Sequence, residues 1–244
     1  MAKKLKTNFG IPSKSITITK KQEKSKTIVH SLVKGGLGTI PIIGSLAVEV
    51  FGLLVTPPLE KRRAEWMNEI AQKLIDLEIK QQINFEELQH NDQFIDVVLQ
   101  ATTYALKTSE KDKINAFQNA IMNTAVGETP GETISQIFLN QLDSFTIWHI
   151  KILKFIDDPR LWFQRANITP PDYISGSLAS VLFDALPELR SQHDMLQIIW
   201  NDLRSAGLHS TGDLNTIMSS AGMMSGRTTS LGKKFLKYIS DYGK

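Results

Sequence analysis

Between residues 58 and 145, apolar side chains recur at steps of three and four residues, which is the spacing of helices buried along one side. The first run predicts a helix over 58–80, with Thr56 as its cap and Pro57 and Pro58 in its first turn. Further runs predict helices over 91–106, 109–125 and 132–145. Short polar connections separate these runs, so we expect a helical bundle over 58–143.

The remaining third of the chain, 144–244, has a different order of segments. Apolar spacing predicts helices over 147–156, 175–186, 191–206 and 229–242, with a segment rich in Gly, Ser and Thr over 211–227. A winged-helix module has this order of elements: three helices, a loose segment able to form a hairpin, and a closing helix. A plain continuation of the bundle is the alternative. The expected fold class is therefore mainly α: a helical bundle followed by a winged-helix-like or helical module.

The segment 28–57 is apolar and rich in glycine. From Gly35 to Val55 it has one charged residue, Glu49, and five glycines in a stretch long enough to span a bilayer. Glu49 costs about 2.5–3.5 kcal/mol at a bilayer centre if it behaves like Asp, and eleven Leu, Ile, Val and Phe residues offset about 3–7 kcal/mol. This balance is marginal, and the glycines and Pro41 interrupt the first half. We therefore weigh conditional membrane insertion against a buried core helix.

Membrane contact would involve the apolar side chains of this segment and the cations that follow it, where anionic headgroups would lie. The candidates are Leu37, Ile42, Ile43, Leu46, Val48, Val50, Phe51, Leu54, Lys61, Arg62 and Arg63.

Charge is unevenly distributed along the chain. Residues 1–27 contain eight lysines and one glutamate, a net charge of +7, so the overall charge of +3 leaves the rest at −4. We expect this basic tail to be disordered; it either binds anionic partners such as lipid headgroups or nucleic acid, or only aids solubility. There is no cysteine, and the apolar segment lacks the cleavage pattern of an export signal. We expect a cytoplasmic protein with peripheral or conditional association with the inner membrane.

The residues that usually perform catalysis are not arranged in a known pattern. The five histidines include no pair at helical metal-ligand spacing, and no nucleophile motif is present. The segment 226–234 differs from a phosphate-binding loop in its spacing and in having Lys234 where Ser or Thr should bind magnesium. We predict no catalytic, cofactor-binding or metal site, and a protein that is not an enzyme.

Nucleic-acid binding remains open for the carboxy-terminal module. Its predicted recognition helix, 191–206, has a poor set of charges for phosphate contact. The cations that could contact a nucleic-acid backbone are Arg227, Lys233, Lys234 and Lys237.

Three motifs carry a family resemblance: TPPLEKRRAEWMNEI, FLNQLDSFTIWHIKILKFIDDP and TTSLGKKFLKYI. With them, residues 30 to 242 resemble a family of uncharacterised bacterial helical proteins. In its early apolar helix, helical middle and closing helix, the chain is also similar to the Abi-alpha group of abortive-infection proteins. The second resemblance implies a role in phage defence. Neither implies catalytic residues.

The leading hypothesis is a non-enzymatic bacterial defence or stress protein with a conditionally membrane-directed amino-terminal segment. The alternative is a DNA-binding or protein-docking regulatory adaptor that uses the carboxy-terminal module. A third hypothesis is a scaffold whose helices associate with a protein partner or a second copy, which an exposed apolar patch would support.

Overall fold

The computed structural model describes residues 43 to 242, with side chains in the first helix at positions 54, 56 and from 58 onward. The chain divides into two compact units, Met1–Leu54 and Val55–Lys244. The basic tail, Leu37 and Ile42 lie outside the described residues, and so do the side chains of Ile43, Leu46, Val48, Val50 and Phe51.

The described part of the chain is mainly helical, which confirms the prediction of a mainly α fold. The amino-terminal helices are α1 (Ile43–Ile79), α2 (Phe85–Leu88), α3 (Asp92–Ala105), α4 (Lys111–Ala125), α5 (Glu132–Ser144), α6 (Ile147–Asp157) and α7 (Pro159–Ala166). The elements that follow are β1 (Ser175–Ser177), α8 (Leu178–Ala185), a 3₁₀ helix (Pro187–Ser191), α9 (His193–Ser205), β2 (Ile217–Ser219), α10 (Ser220–Met223) and α11 (Ser230–Tyr238).

The beginning of α1 differs from the sequence prediction. Thr56 and the two prolines predict a helix start at position 58, but the helix begins at Ile43 and continues through Pro57 and Pro58. Each proline lacks an N–H, so the helix lacks two backbone hydrogen bonds within one turn there. The sequence pattern at Thr56 is that of a helix start, and here the same residues form a weak turn inside a longer helix.

Helices α3, α4 and α5 pack on one another, and α4 lies at their centre. Nine consecutive α4 residues, from Ala116 to Thr124, are buried, so neighbours cover every side of that helix. Helix α1 joins the bundle through Trp66, Ile70 and Leu77, which are all buried. The spacing of three and four residues predicted these three buried residues correctly, but Leu59 and Arg63, which continue the same spacing, are exposed.

Helix α6 occupies the equivalent central position in the carboxy-terminal part. Its buried residues His149, Ile150, Ile152, Leu153, Phe155 and Ile156 surround the helix axis, and α7, α8, α9 and α11 pack against it. The predicted helix 175–186 is wrong at its start, because Ser175–Ser177 pairs with β2. The strands are antiparallel, with Ser175 opposite Ser219, and the Ser177 hydroxyl then caps α8 by accepting from Ser180 N–H.

Candidate interaction surface on the first helix

Before Trp66, the described side chains of α1 are exposed. Every side chain described from position 54 to position 65 is exposed, and Trp66 is the first that is buried. Eight consecutive exposed residues, 58–65, make slightly more than two helical turns. Since no described residue covers any side of these turns, this stretch of α1 is open to a partner on every side that the described residues define.

This free stretch carries the predicted cations Lys61, Arg62 and Arg63, here called the basic cluster. Successive helix residues point about 100° apart, so the three cations surround the helix axis. Lys61 lies 3.7 Å from Glu65 in an exposed pair, which contributes little to stability. Among the described residues, Arg62 and Arg63 have no ion-pair partner. Leu59, which is 43% exposed, adds apolar surface beside the cluster.

Polar contacts fix the rest of α1 to the bundle. Trp66 Nε1 donates to Thr102 Oγ1 at 3.0 Å. One turn further, the buried amide of Gln118 donates to Glu69 at 2.5 Å and accepts from Lys73 Nζ at 2.7 Å. The amide group satisfies both partners, so a polar side chain is buried without an unpaired atom. Residues 66–77 of α1 are therefore held firmly, and 58–65 are not.

The four nucleic-acid candidates occupy different environments. The Arg227 guanidinium turns inward, where it donates to Gly222 O, and burial lowers its pKa. Lys233 and Lys234 are exposed on α11, and exposed Lys237 pairs with Glu128 at 2.8 Å. The structure therefore leaves three of the four cations at the surface and uses Arg227 to hold the β2–α10 turn.

Two histidines that the sequence did not single out are buried. His149 Nδ1 accepts from the Thr146 backbone N–H at 3.1 Å, which places the proton on Nε2, where it donates to Asp202 at 3.3 Å. Burial lowers the pKa of His149, and its hydrogen bond to Asp202 opposes this. The Thr146 hydroxyl lies 3.0 Å from the same ring nitrogen. This arrangement of hydroxyl, imidazole and carboxylate is a capping box at the start of α6, because Nδ1 already accepts the backbone N–H.

His209 also has a structural role. Its Nε2 donates to Trp200 O at 3.0 Å, and its Nδ1 accepts from Thr211 N–H at 3.2 Å. Burial lowers the pKa of this imidazole too. Both rings keep their hydrogen bonds only when neutral, so they fix local structure and have no free nitrogen for chemistry. No cluster able to hold a metal ion occurs among the described residues.

A groove of about 1030 Å³ lies between α4, α6, α7 and the end of α11. Its polar side chains are mixed in charge, with Lys154 and Arg165 near Asp112 and Asp158. On its floor, Asn119 donates to Ile239 O at 3.2 Å, and Asn123 donates to Tyr238 O at 2.8 Å. These buried amides close the end of α11, so the groove's most distinctive polar groups already serve the fold.

The sequence motifs behind the family resemblance also serve packing. In the DDP motif, Asp158 caps α7 by accepting from Leu161 N–H at 2.9 Å, and Asp157 accepts from the Thr228 hydroxyl. In the TTSLG motif, Thr229 accepts from Gly232 N–H at 3.0 Å and donates to Gly207 O at 2.7 Å. These motifs therefore encode contacts between α6, α7 and α11 and give no indication of a reaction.

Comparison with family models, with curated proteins and with solved structures found no match to this chain. None of the helices in the described range is long and apolar enough to cross a membrane.

Proposed function

We propose that this chain is a non-enzymatic bacterial defence or stress protein whose first helix contacts an anionic membrane surface under some conditions. The supporting observation is the exposed stretch of α1, which carries the basic cluster at the carboxy-terminal side of the apolar segment. Cations that follow an apolar segment attract it to anionic headgroups, where apolar side chains can enter the boundary of the acyl chains.

The energies favour conditional binding. Each Lys or Arg near an anionic bilayer contributes about 1 kcal/mol, so the basic cluster supplies about 3 kcal/mol at low salt. The apolar segment adds hydrophobic transfer that salt does not screen, but Glu49 opposes its deep insertion. Since no described helix can span a bilayer, the proposal is contact at the interface.

The defence role depends on the resemblance to the Abi-alpha group. An apolar helix kept from the membrane until infection would suit an abortive response. The buried contacts at Trp66, Gln118 and Leu77 would hold α1 on the body in both states.

Replacing Lys61, Arg62 and Arg63 together with Gln tests the electrostatic part. We expect about 100-fold weaker binding to vesicles of phosphatidylglycerol and phosphatidylcholine at low salt, since about 3 kcal/mol is removed. The matched control replaces Lys233, Lys234 and Lys237 with Gln, which removes the same charge from α11 and should bind like the wild-type protein. Equal loss in both variants would mean that net charge alone drives binding and would contradict the proposal.

Val48→Asp tests the apolar part. This variant should lose binding that persists in high salt and keep the salt-sensitive binding of the cations. Unchanged binding in high salt would show that the apolar segment does not contribute to membrane binding.

A second candidate is a winged-helix-like docking module formed by the carboxy-terminal part. Its support is the order of β1, α8, α9 and β2, together with an antiparallel bridge between His209 and Thr228. The exposed residues of α9 include both Asp202 and Arg204, so this helix does not favour phosphate. Exposed Ile198 on the same helix suits a protein partner better.

DNA binding can be separated from protein docking by filter binding. A protein-docking module predicts no steeply salt-dependent affinity for duplex DNA. Tight binding that falls by orders of magnitude between low and moderate salt, and that is lost in the Lys233, Lys234 and Lys237 variant, would instead establish a DNA-binding module.

A further inference from the structure

Helix α1 has a second apolar side that no described residue covers. Met67, Ile75 and Ile79 are 53%, 42% and 74% exposed, and Ala64 and Ala71 are exposed as well. These five residues follow one another at steps of three and four, so they form a single line along the helix. We call this line the exposed stripe.

The exposed stripe is separate from the side that packs on the bundle. At about 100° per residue, Trp66, Ile70 and Leu77 point on average about 140° away from the centre of the stripe. The stripe is about 22 Å long, from Ala64 to Ile79. Ile137, Ile168, Ile174, Ile198 and Ile217, which are also exposed, belong to other elements and do not extend it. Scattered apolar residues are normal on a surface, whereas a continuous line on a rigid helix suggests a covered face.

The alternation of small and large side chains along the stripe is suited to packing against another helix. Ala71 lies at its middle, with the larger Met67 and Ile75 one turn away on either side. A small residue at a crossing point lets two helix axes approach closely, and the larger residues then interdigitate beside it. Met67 and Ile75 lie four residues on either side of Ala71, so a twofold antiparallel contact centred near Ala71 brings Met67 of each copy level with Ile75 of the other.

The charged residues beside the stripe indicate that the partner helix is α1 of a second copy of the chain. Arg63 and Glu78 lie on the same edge of the stripe, fifteen residues apart. Neither has an ion-pair partner among the described residues, and Glu78 accepts only the Phe85 N–H, at 3.3 Å. An antiparallel copy centred between residues 70 and 71 places Arg63 of each chain opposite Glu78 of the other. A parallel copy in register would place like charges together.

We propose that two copies of this chain pair through antiparallel α1 helices, with Ala71 at the crossing and two ion pairs between Arg63 and Glu78. The stripe supplies the apolar contact, and the ion pairs set the direction. One pair of helices makes a small interface, so the dimer forms in the micromolar range. This inference does not depend on membrane binding: Arg63 belongs to the basic cluster, but Met67, Ala71 and Ile75 at the centre of the stripe lie on the part of α1 that is fixed to the bundle.

Sedimentation velocity of the full chain over a range of micromolar concentrations tests the proposal. Arg63→Glu and Glu78→Arg should each weaken the dimer about tenfold or more, because each places two like-charged pairs at the contact. The double variant with both changes should restore the wild-type dissociation constant, since it exchanges the partners. Ile75→Asp should abolish the dimer, and Ile217→Asp, an equally drastic change on β2, should leave it unchanged.

Circular dichroism on each variant separates loss of the dimer from loss of the fold. A wild-type protein that stays monomeric at all concentrations would overturn the proposal. A dimer that survives Ile75→Asp would exclude the stripe. A dimer lost in Ile75→Asp but not restored in the charge-exchange variant would exclude the antiparallel arrangement.

Discussion

Gly232→Ala should lower the free energy of unfolding by about 3 kcal/mol, which is the upper end of the usual range for overpacking. A Cβ at this position would overlap the carbonyl oxygen of Leu208, which belongs to the backbone and has no rotamer to move into. That carbonyl also accepts from Thr229 N–H at 2.9 Å, so α11 cannot shift away without losing its start. Alanine's helix preference, about 1 kcal/mol over glycine, does not offset the overlap.

Thermal unfolding followed by circular dichroism measures this effect. For a chain of this size, a loss of about 3 kcal/mol corresponds to a fall in Tm of about 6–12 °C. Gly212→Ala is the matched control, because nothing lies within 4 Å of the position its Cβ would take. If both variants melt like the wild-type protein, the close approach between α11 and Leu208 is not present in solution.

Asn123→Asp should lower the free energy of unfolding by a similar amount, although the two side chains have almost the same shape. Asn123 is 3% exposed, and its Nδ2 donates to Tyr238 O at 2.8 Å and Ser240 O at 2.9 Å. A carboxylate has no hydrogen to donate, so an anion would face carbonyl oxygens in a buried place. We expect a loss of about 3 kcal/mol or more at neutral pH, because an unsatisfied buried charge costs more than an unsatisfied neutral group.

The pH dependence of this variant has a definite sign. A protonated carboxyl group can donate, so the stability difference from the wild-type protein should narrow as the pH falls toward about 4. Asn115→Asp is the control on the same helix, where the side chain is exposed and near the helix start, and it should be neutral. Urea unfolding at several pH values would measure both. A difference that does not change with pH would show that Asn123 does not close α11.

The sequence predicted the helices wherever apolar spacing decided the structure. The inward residues Trp66, Ile70 and Leu77 follow from that spacing, as does the whole of α3 within one residue at each end. The roles of Asn119 and Asn123 did not follow, because amides on an inward face have no partner in nearby sequence. The carbonyls that Asn123 binds lie 114 to 117 residues further along the chain.

Two other features could not be predicted from the sequence because they depend on contacts between elements that are distant along the chain. Ile75 and Ile79 look like ordinary helix residues until the packing shows that the bundle covers only the opposite side of α1. Strand β1 was assigned to a helix because Ser175 and Gly176 precede an apolar run, and only pairing with β2 makes them a strand. Such long-range pairings leave little signal in three residues.

Co-sedimentation of the purified full-length protein with anionic and neutral vesicles, at low and high salt, tests the central claim most directly. A second protein lacking residues 1–55 provides the comparison. We predict that the full chain pellets with anionic vesicles and that part of this binding resists high salt. The deletion should abolish the salt-resistant part. Failure to pellet under every one of these conditions, or equal pelleting by the deleted protein in high salt, would contradict a membrane-directed first helix.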